Sequence, residues 1–217
     1  PTTSGVVALM LEDFANKGLY PLPSTIKAIL IHTAKDLGNT GPDYSFGYGR
    51  VNAKNAIDLI NGSYGNADAI IEGEISNQGD IDSYSITVPP NQSELKITLV
   101  WDDYPATANA NPTLVNDLDL VVIDPDGTRH YPWLLDPNNP SNPATTGVDS
   151  LNNVEQVYSN PLSGTWQVKV NGTSVPQAPQ NYSLVYSYDR FPRLEPFLIT
   201  PKINTNVTQN KLFTFSS

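Results

Sequence analysis

Seven short runs in which apolar and polar residues alternate follow Gly62: "AIIEGEIS", "DSYSITVP", "ELKITLVWDD", "DLDLVVIDPDG", "NNVEQVYS", "GTWQVKV" and "YSLVYSYD". Each is closed by Pro, Gly, Asn or Asp, residues that end strands and build turns. A period of two sends alternate side chains to opposite faces of a strand. Leu95, Ile97, Leu99 and Trp101 then share one face, and so do Trp166, Val168 and Val170. One buried face per strand, repeated at turn-length intervals, predicts an antiparallel β-sandwich over about 66–190. Inside it, 133–150 ("WLLDPNNPSNPATTGVDS") reads as a long Pro/Asn-rich loop.

The first 62 residues have a different texture. "TTSGVVALMLEDF" is apolar on every side, which predicts a helix over about 3–17 that is covered by protein all round and begins inside something larger. A second helix is predicted at about 23–36, with Ser24 as its N-cap, and a short third one in "NAKNAIDLI", ended by Asn61-Gly62. Residues 191–217 read as a linker or the start of a further domain.

Charge narrows the partners. There are 22 acidic against 12 basic residues, a net charge of −10. Such a surface repels phosphate backbones and anionic headgroups, so neither nucleic acid nor membrane is an expected partner. Divalent cations are the ligands that closely spaced carboxylates favour, while solubility alone accounts for the same excess. With no cysteine, disulfides and thiolate metal sites are excluded.

Three stretches carry a resemblance to a known family. "PTTSGVVALMLEDF" resembles the segment that follows the nucleophile in subtilisin-like serine peptidases (subtilases), "STIKAILIHTAKDLG" the next helix, and "FGYGRVNAKNAI" the turn that closes the catalytic domain. The resemblance covers about 1–62. It implies a fold that is mainly β, a jelly-roll sandwich preceded by a few α-helices from the end of an α/β subtilisin-like domain. It also places the family's catalytic Ser just before Pro1, and its Asp, His and oxyanion-hole Asn further upstream. The parent is then a secreted serine endopeptidase acting on protein or peptide substrates, and the missing upstream catalytic portion is this chain's expected partner. Alone, the chain is expected to be inactive. Catalysis needs a hydroxyl, an imidazole and a carboxylate in sequence, and His32 and His130 are the only imidazoles, neither in a motif. Ser4 lacks the Gly-x-Ser-x-Gly elbow.

The second part has relatives too. "NDLDLVVIDPDGT", "NNVEQVY" and "GTWQVKVNGTSVPQAPQNYSLVYSY" are similar to the C-terminal jelly-roll domain of bacterial alkaline subtilases and, more loosely, to the P-domain of proprotein convertases. In those families the module stabilises the catalytic domain, often with bound calcium, or assists substrate binding. Strand geometry supplies a reason: Asp117 and Asp119, two apart, share a face, and repel unless solvated, hydrogen-bonded or bridged by a cation. The candidate calcium ligands are therefore Asp117, Asp119, Asn153 and Glu155, with Asn116 and Asn152 as further oxygen donors and Asp102-Asp103 as a weaker pair. The rival readings are an exposed acidic face or turn-stabilising aspartates. "DPDG" at 124–127 is a tight hairpin turn.

The alternative function, from a different class, is a non-catalytic module that binds carbohydrate or protein. An exposed aromatic cluster at Tyr131 and Trp133 would favour it, whereas Trp101 and Trp166 fall in phase with core faces.

Overall fold

The strand pairing accounts for every alternating run. The computed structural model describes residues 1–62 and 69–188, so the reading of 191–217 lies outside the described residues. Ten strands follow three helices: β1 (Ile70–Ile75), β2 (Ile81–Val88), β3 (Leu95–Trp101), β4 (Asp117–Ile123), β5 (Arg129–His130), β6 (Trp133–Leu134), β7 (Thr145–Thr146), β8 (Val154–Ser159), β9 (Gly164–Ser174) and β10 (Gln180–Tyr188). They form one sheet in the order β1-β10-β3-β8, a second in the order β2-β9-β4-β5, and the small pair β6-β7, all antiparallel. Set the small pair aside, and eight strands remain, each four-stranded sheet mixing early with late strands. That is the strand order of a jelly roll, two interleaved Greek keys.

Alternation fills the space between the sheets. Leu95, Ile97, Leu99 and Trp101 of β3 meet Leu118, Leu120 and Val122 of β4 and Trp166, Val168 and Val170 of β9 in one buried core. Trp101 donates its indole N–H to Asn116 O at 3.0 Å, and Trp166 donates to Leu162 O at 2.8 Å, so both rings are buried without a stranded donor. The long loop of 133–150 is a hairpin: Trp133 and Leu134 pair with Thr146 and Thr145.

The helices form a third layer. They are α1 (Thr2–Asn16), α2 (Pro23–His32) and α3 (Ala53–Ile60). Met10, Phe14, Ala28, Ile29, Ala56 and Leu59 are buried together with Val100 of β3 and Val185 of β10, the outward-facing residues of the first sheet. Three sequence expectations change here. Helix α2 begins at Pro23 with Leu22 at the cap, and the Ser24 hydroxyl reaches Ser183 instead of capping. It also ends at His32 rather than near residue 36. And α1 is covered on one face only: Val6, Met10 and Phe14, four residues apart, are buried, whereas Leu9 is 52% and Leu11 46% exposed, and Ser4 is exposed as well. An all-apolar helix has more apolar faces than one neighbouring layer can cover.

Candidate functional site

The candidate metal residues sit at an open edge of the jelly roll. Strand β5 reaches only Val122 and Ile123 of β4, which leaves the earlier half of β4 without a strand on that side. Glu155 fills the gap. It stands opposite Leu99 on β8, on the inward face, and is 1% exposed. Its Oε2 accepts the Leu120 backbone N–H at 2.6 Å, tying the two sheets together. Its Oε1 is buried with no hydrogen-bond partner, as are Asp117 Oδ1 and Asn171 Oδ1. A buried acceptor without a donor is costly, and Asn171 stands on the neighbouring strand β9 opposite Asp119, so the three call for an explanation.

Electrostatics draw the same group together. Burial, then Asp119 and Asp149, push Asp117 up to about 6. Burial holds Glu155 well above the usual carboxylate range despite the Leu120 N–H, with Asp119, Asp149 and Asp117 adding to it. Tyr48, half-buried beside them, is pushed up by burial and by Asp149 and Glu155. Two of these were not candidates from sequence. Asp149 arrives from the loop before β8, where it clamps Leu151 N, Asn152 N and Asn152 Nδ2 at 2.7–3.2 Å. Tyr48 arrives from the turn before α3. Only the "DSLNN" pattern, an Asp able to cap the amides that follow it, hinted at the first.

The remaining candidates, and Asp119 itself, have hydrogen-bond partners of their own. Asn153 donates to Trp101 O at 2.8 Å and accepts from Lys27 Nζ at 3.2 Å, so its carbonyl oxygen is turned to a cation of α2. Asn116 is fully buried and spans Gln177 and Gln180, while Asn152 serves the Asp149 clamp. Asp103 holds the loop before β4 by accepting from Tyr104 N, Val115 N and Asn116 N. Asp102 lines a small polar cleft with Ser24, Tyr104 and Asn181. Asp119 accepts from Thr173 Oγ1. Among the described residues, no three His, Cys, Asp or Glu side chains stand together at metal-ligand spacing. The donors, carboxylate and amide oxygens, fit a hard cation in kind.

The two histidines have structural surroundings. His130 Nε2 lies 3.0 Å from Asp124 Oδ2, and its ring centroid is 5.2 Å from that of Trp166. Asp124 also takes Asp126 N and Thr128 N, which makes this an anchored hairpin turn. His32 is fully buried, its Nδ1 on Thr98 Oγ1 at 3.0 Å and its Nε2 on Ser187 Oγ at 2.9 Å. Tyr131 and Trp133 are half-buried. Trp133 packs on Gly41, where a Cβ would stand 2.8 Å from the indole, so it anchors the β6–β7 hairpin to the loop before α3 rather than offering a stacking platform.

Comparison with known proteins agrees with the helical end. Residues 1–49 match the Subtilase family. The chain is 31% identical over 175 residues to the serine protease/ABC transporter B family protein tagA of Dictyostelium discoideum, covering 77% of this chain and 10% of that protein. It thus spans about a tenth of that curated relative's length. Among solved structures, the CspB protease of Clostridium perfringens superposes with a TM-score of 0.34 at 10% identity, over 57% of this chain and 26% of the other. The lipase BlEst2 of Bacillus licheniformis in propeptide form gives a TM-score of 0.33 at 15% identity, over 55% of this chain and 21% of the other.

Proposed function

We propose that this chain is the C-terminal portion of a secreted subtilisin-like serine endopeptidase, in which the jelly roll stabilises the catalytic portion. The observation that carries the reading is the two-sided role of the matched segment. Its helices α1 and α2, with α3 just after it, share a buried core with the outer face of the jelly roll, while α1 leaves Leu9 and Leu11 outside that core. Leu9 and Leu11 border the uncovered side of α1, with Gly5 and Ala8 between them, and exposed leucines on a helix are surface that a further protein layer can cover. The helical layer then joins the jelly roll on one side to the catalytic portion, supplied upstream, on the other. No helix among the described residues is long and apolar enough to cross a membrane.

Calcium belongs to the same reading. Asp117, Asp119 and Glu155 would hold it, with Asn171 as a neutral oxygen donor, and Asn153 would join only by releasing Lys27. Its part is structural: a dication neutralises carboxylates that otherwise repel one another at the sheet edge. No catalytic step runs through it.

The reading is tested on the longer protein that includes the coding sequence immediately upstream. A serine-directed active-site probe is expected to label that protein and to leave the present chain unlabelled, and casein is expected to be cleaved by the first alone. Deleting the jelly roll should lower the temperature at which activity is lost. An unlabelled longer protein, or a labelled isolated chain, would overturn the assignment.

A further inference from the structure

The seam between α2 and the first sheet is made of hydroxyls, amides and one imidazole where apolar packing is the rule. Ser24 and Thr25 both reach the Ser183 hydroxyl, each at 2.8 Å, and Thr25 also donates to Glu72. At the other end of the helix His32 engages Thr98 and Ser187. The fully buried apolar side chains that the sheet gives to the helices are Val100 and Val185. The core between the sheets shares no residue with the core under the helices. The two cores lie on opposite faces of the first sheet, so release of the helical layer would uncover its outer face and leave the core between the sheets covered.

His32 is fully buried in this seam. From β3 it faces Thr98 and Lys96, whose Nζ donates to His32 O at 3.4 Å; from β10, Ser187; from β8, Gln156, whose amide donates to Thr98 Oγ1 at 3.0 Å. Lys96 is also 3.7 Å from Glu94 and 5.9 Å over the Tyr158 ring, and Tyr158 donates to Glu94, so that carboxylate is engaged beside the lysine. Burial first, and Lys96 second, hold the imidazole well below its ordinary value.

We propose that His32 is an acid-operated latch: an imidazolium cannot be kept in this seam, so mild acid releases the α1–α3 layer from the jelly roll while the sandwich stays folded. The proposal concerns these helices and this sheet alone, and it stands or falls independently of the peptidase reading. Its sign follows from linkage. The released state protonates His32 near pH 6.5, the docked state only well below that. Above pH 6.5 docking is indifferent to pH. Below it, each pH unit weakens docking by up to about tenfold, until the docked imidazole itself titrates.

Hydrogen exchange on the whole chain between pH 7.5 and 4.5, with rates corrected for intrinsic exchange, tests this. Protection over α2 should fall by roughly ten- to a hundredfold between pH 6.5 and 4.5 while β9 keeps its protection. His32→Gln, neutral throughout, should remove the fall. Indifference of α2 to pH, simultaneous loss in α2 and β9, or an unchanged fall in the variant would each overturn the latch. Should glutamine weaken docking at every pH, the imidazole resonances of the unmodified chain decide. Titration of His32 near 6.5 with α2 still protected refutes the latch, and titration only as α2 loses protection supports it.

Discussion

Asp117 and Glu155 each bury one carboxylate oxygen that has no partner, and Asp119 and Asp149 add charge beside them. Without a cation the cluster opposes folding; a calcium ion held there, as proposed, would support it. The same substitution should therefore change sign with conditions. At pH 8 in chelator, replacing Asp117 and Asp119 by Asn should raise the melting temperature, because like charges are removed. In millimolar calcium it should lower it, because a site filled at about 100 Kd contributes roughly 2.7 kcal/mol that the variant forgoes. Melting curves of both proteins in both buffers check this, and a variant that responds to calcium as the parent does moves the site elsewhere. Part of the cluster was legible in sequence. Asp117 and Asp119 share a face because the strand period is two, and Glu155 lies in a run that pairs nearby. What pattern could not show was that Lys27, 126 residues away, takes the Asn153 oxygen, or that loops deliver Asp149 and Tyr48. Those meetings depend on tertiary placement.

Among the elements, β3 shows most clearly where reading a pattern stops. Its Leu95–Trp101 alternation gave the inward face correctly, and one buried face per strand made no provision for the opposite residues Lys96 and Thr98. Thr98 is instead fully buried, because α2 brings His32 to it. A polar face and a buried polar seam have the same sequence pattern. Thr98→Val keeps the shape but strands His32 and the Gln156 amide, and a buried group left without its partner costs about 1–3 kcal/mol. That loss should appear as faster exchange in α2, with β9 unaffected; equal loss in both would show that the seam and the sandwich form one cooperative unit. The pairs β5, β6 and β7 were out of reach for another reason. Two residues do not make a period, and Trp133 was placed by Gly41 rather than by its neighbours in the chain.

At the scale of the molecule, the described residues form three layers, helices on sheet on sheet, with exposed leucines on the helical side. Sequence suggested that α1 is enclosed, and the structure encloses only the face carrying Val6, Met10 and Phe14. The difference is informative because the uncovered side chains, Leu9 and Leu11, lie within the segment that matches the Subtilase family. If an upstream catalytic portion covers them, they are surface residues in this chain and core residues in the longer protein. Changing both to Lys should then leave the isolated chain's stability within about 0.5 kcal/mol, the usual range for exposed positions. In the longer protein the same pair should cost several kcal/mol, since burying an unpaired charge is among the few changes with so large a penalty. Denaturant melts of the two proteins, with and without the substitutions, measure both effects directly. Equal and small effects in both would leave α1 exposed in the longer protein too, and the helical layer would then have no catalytic portion to carry.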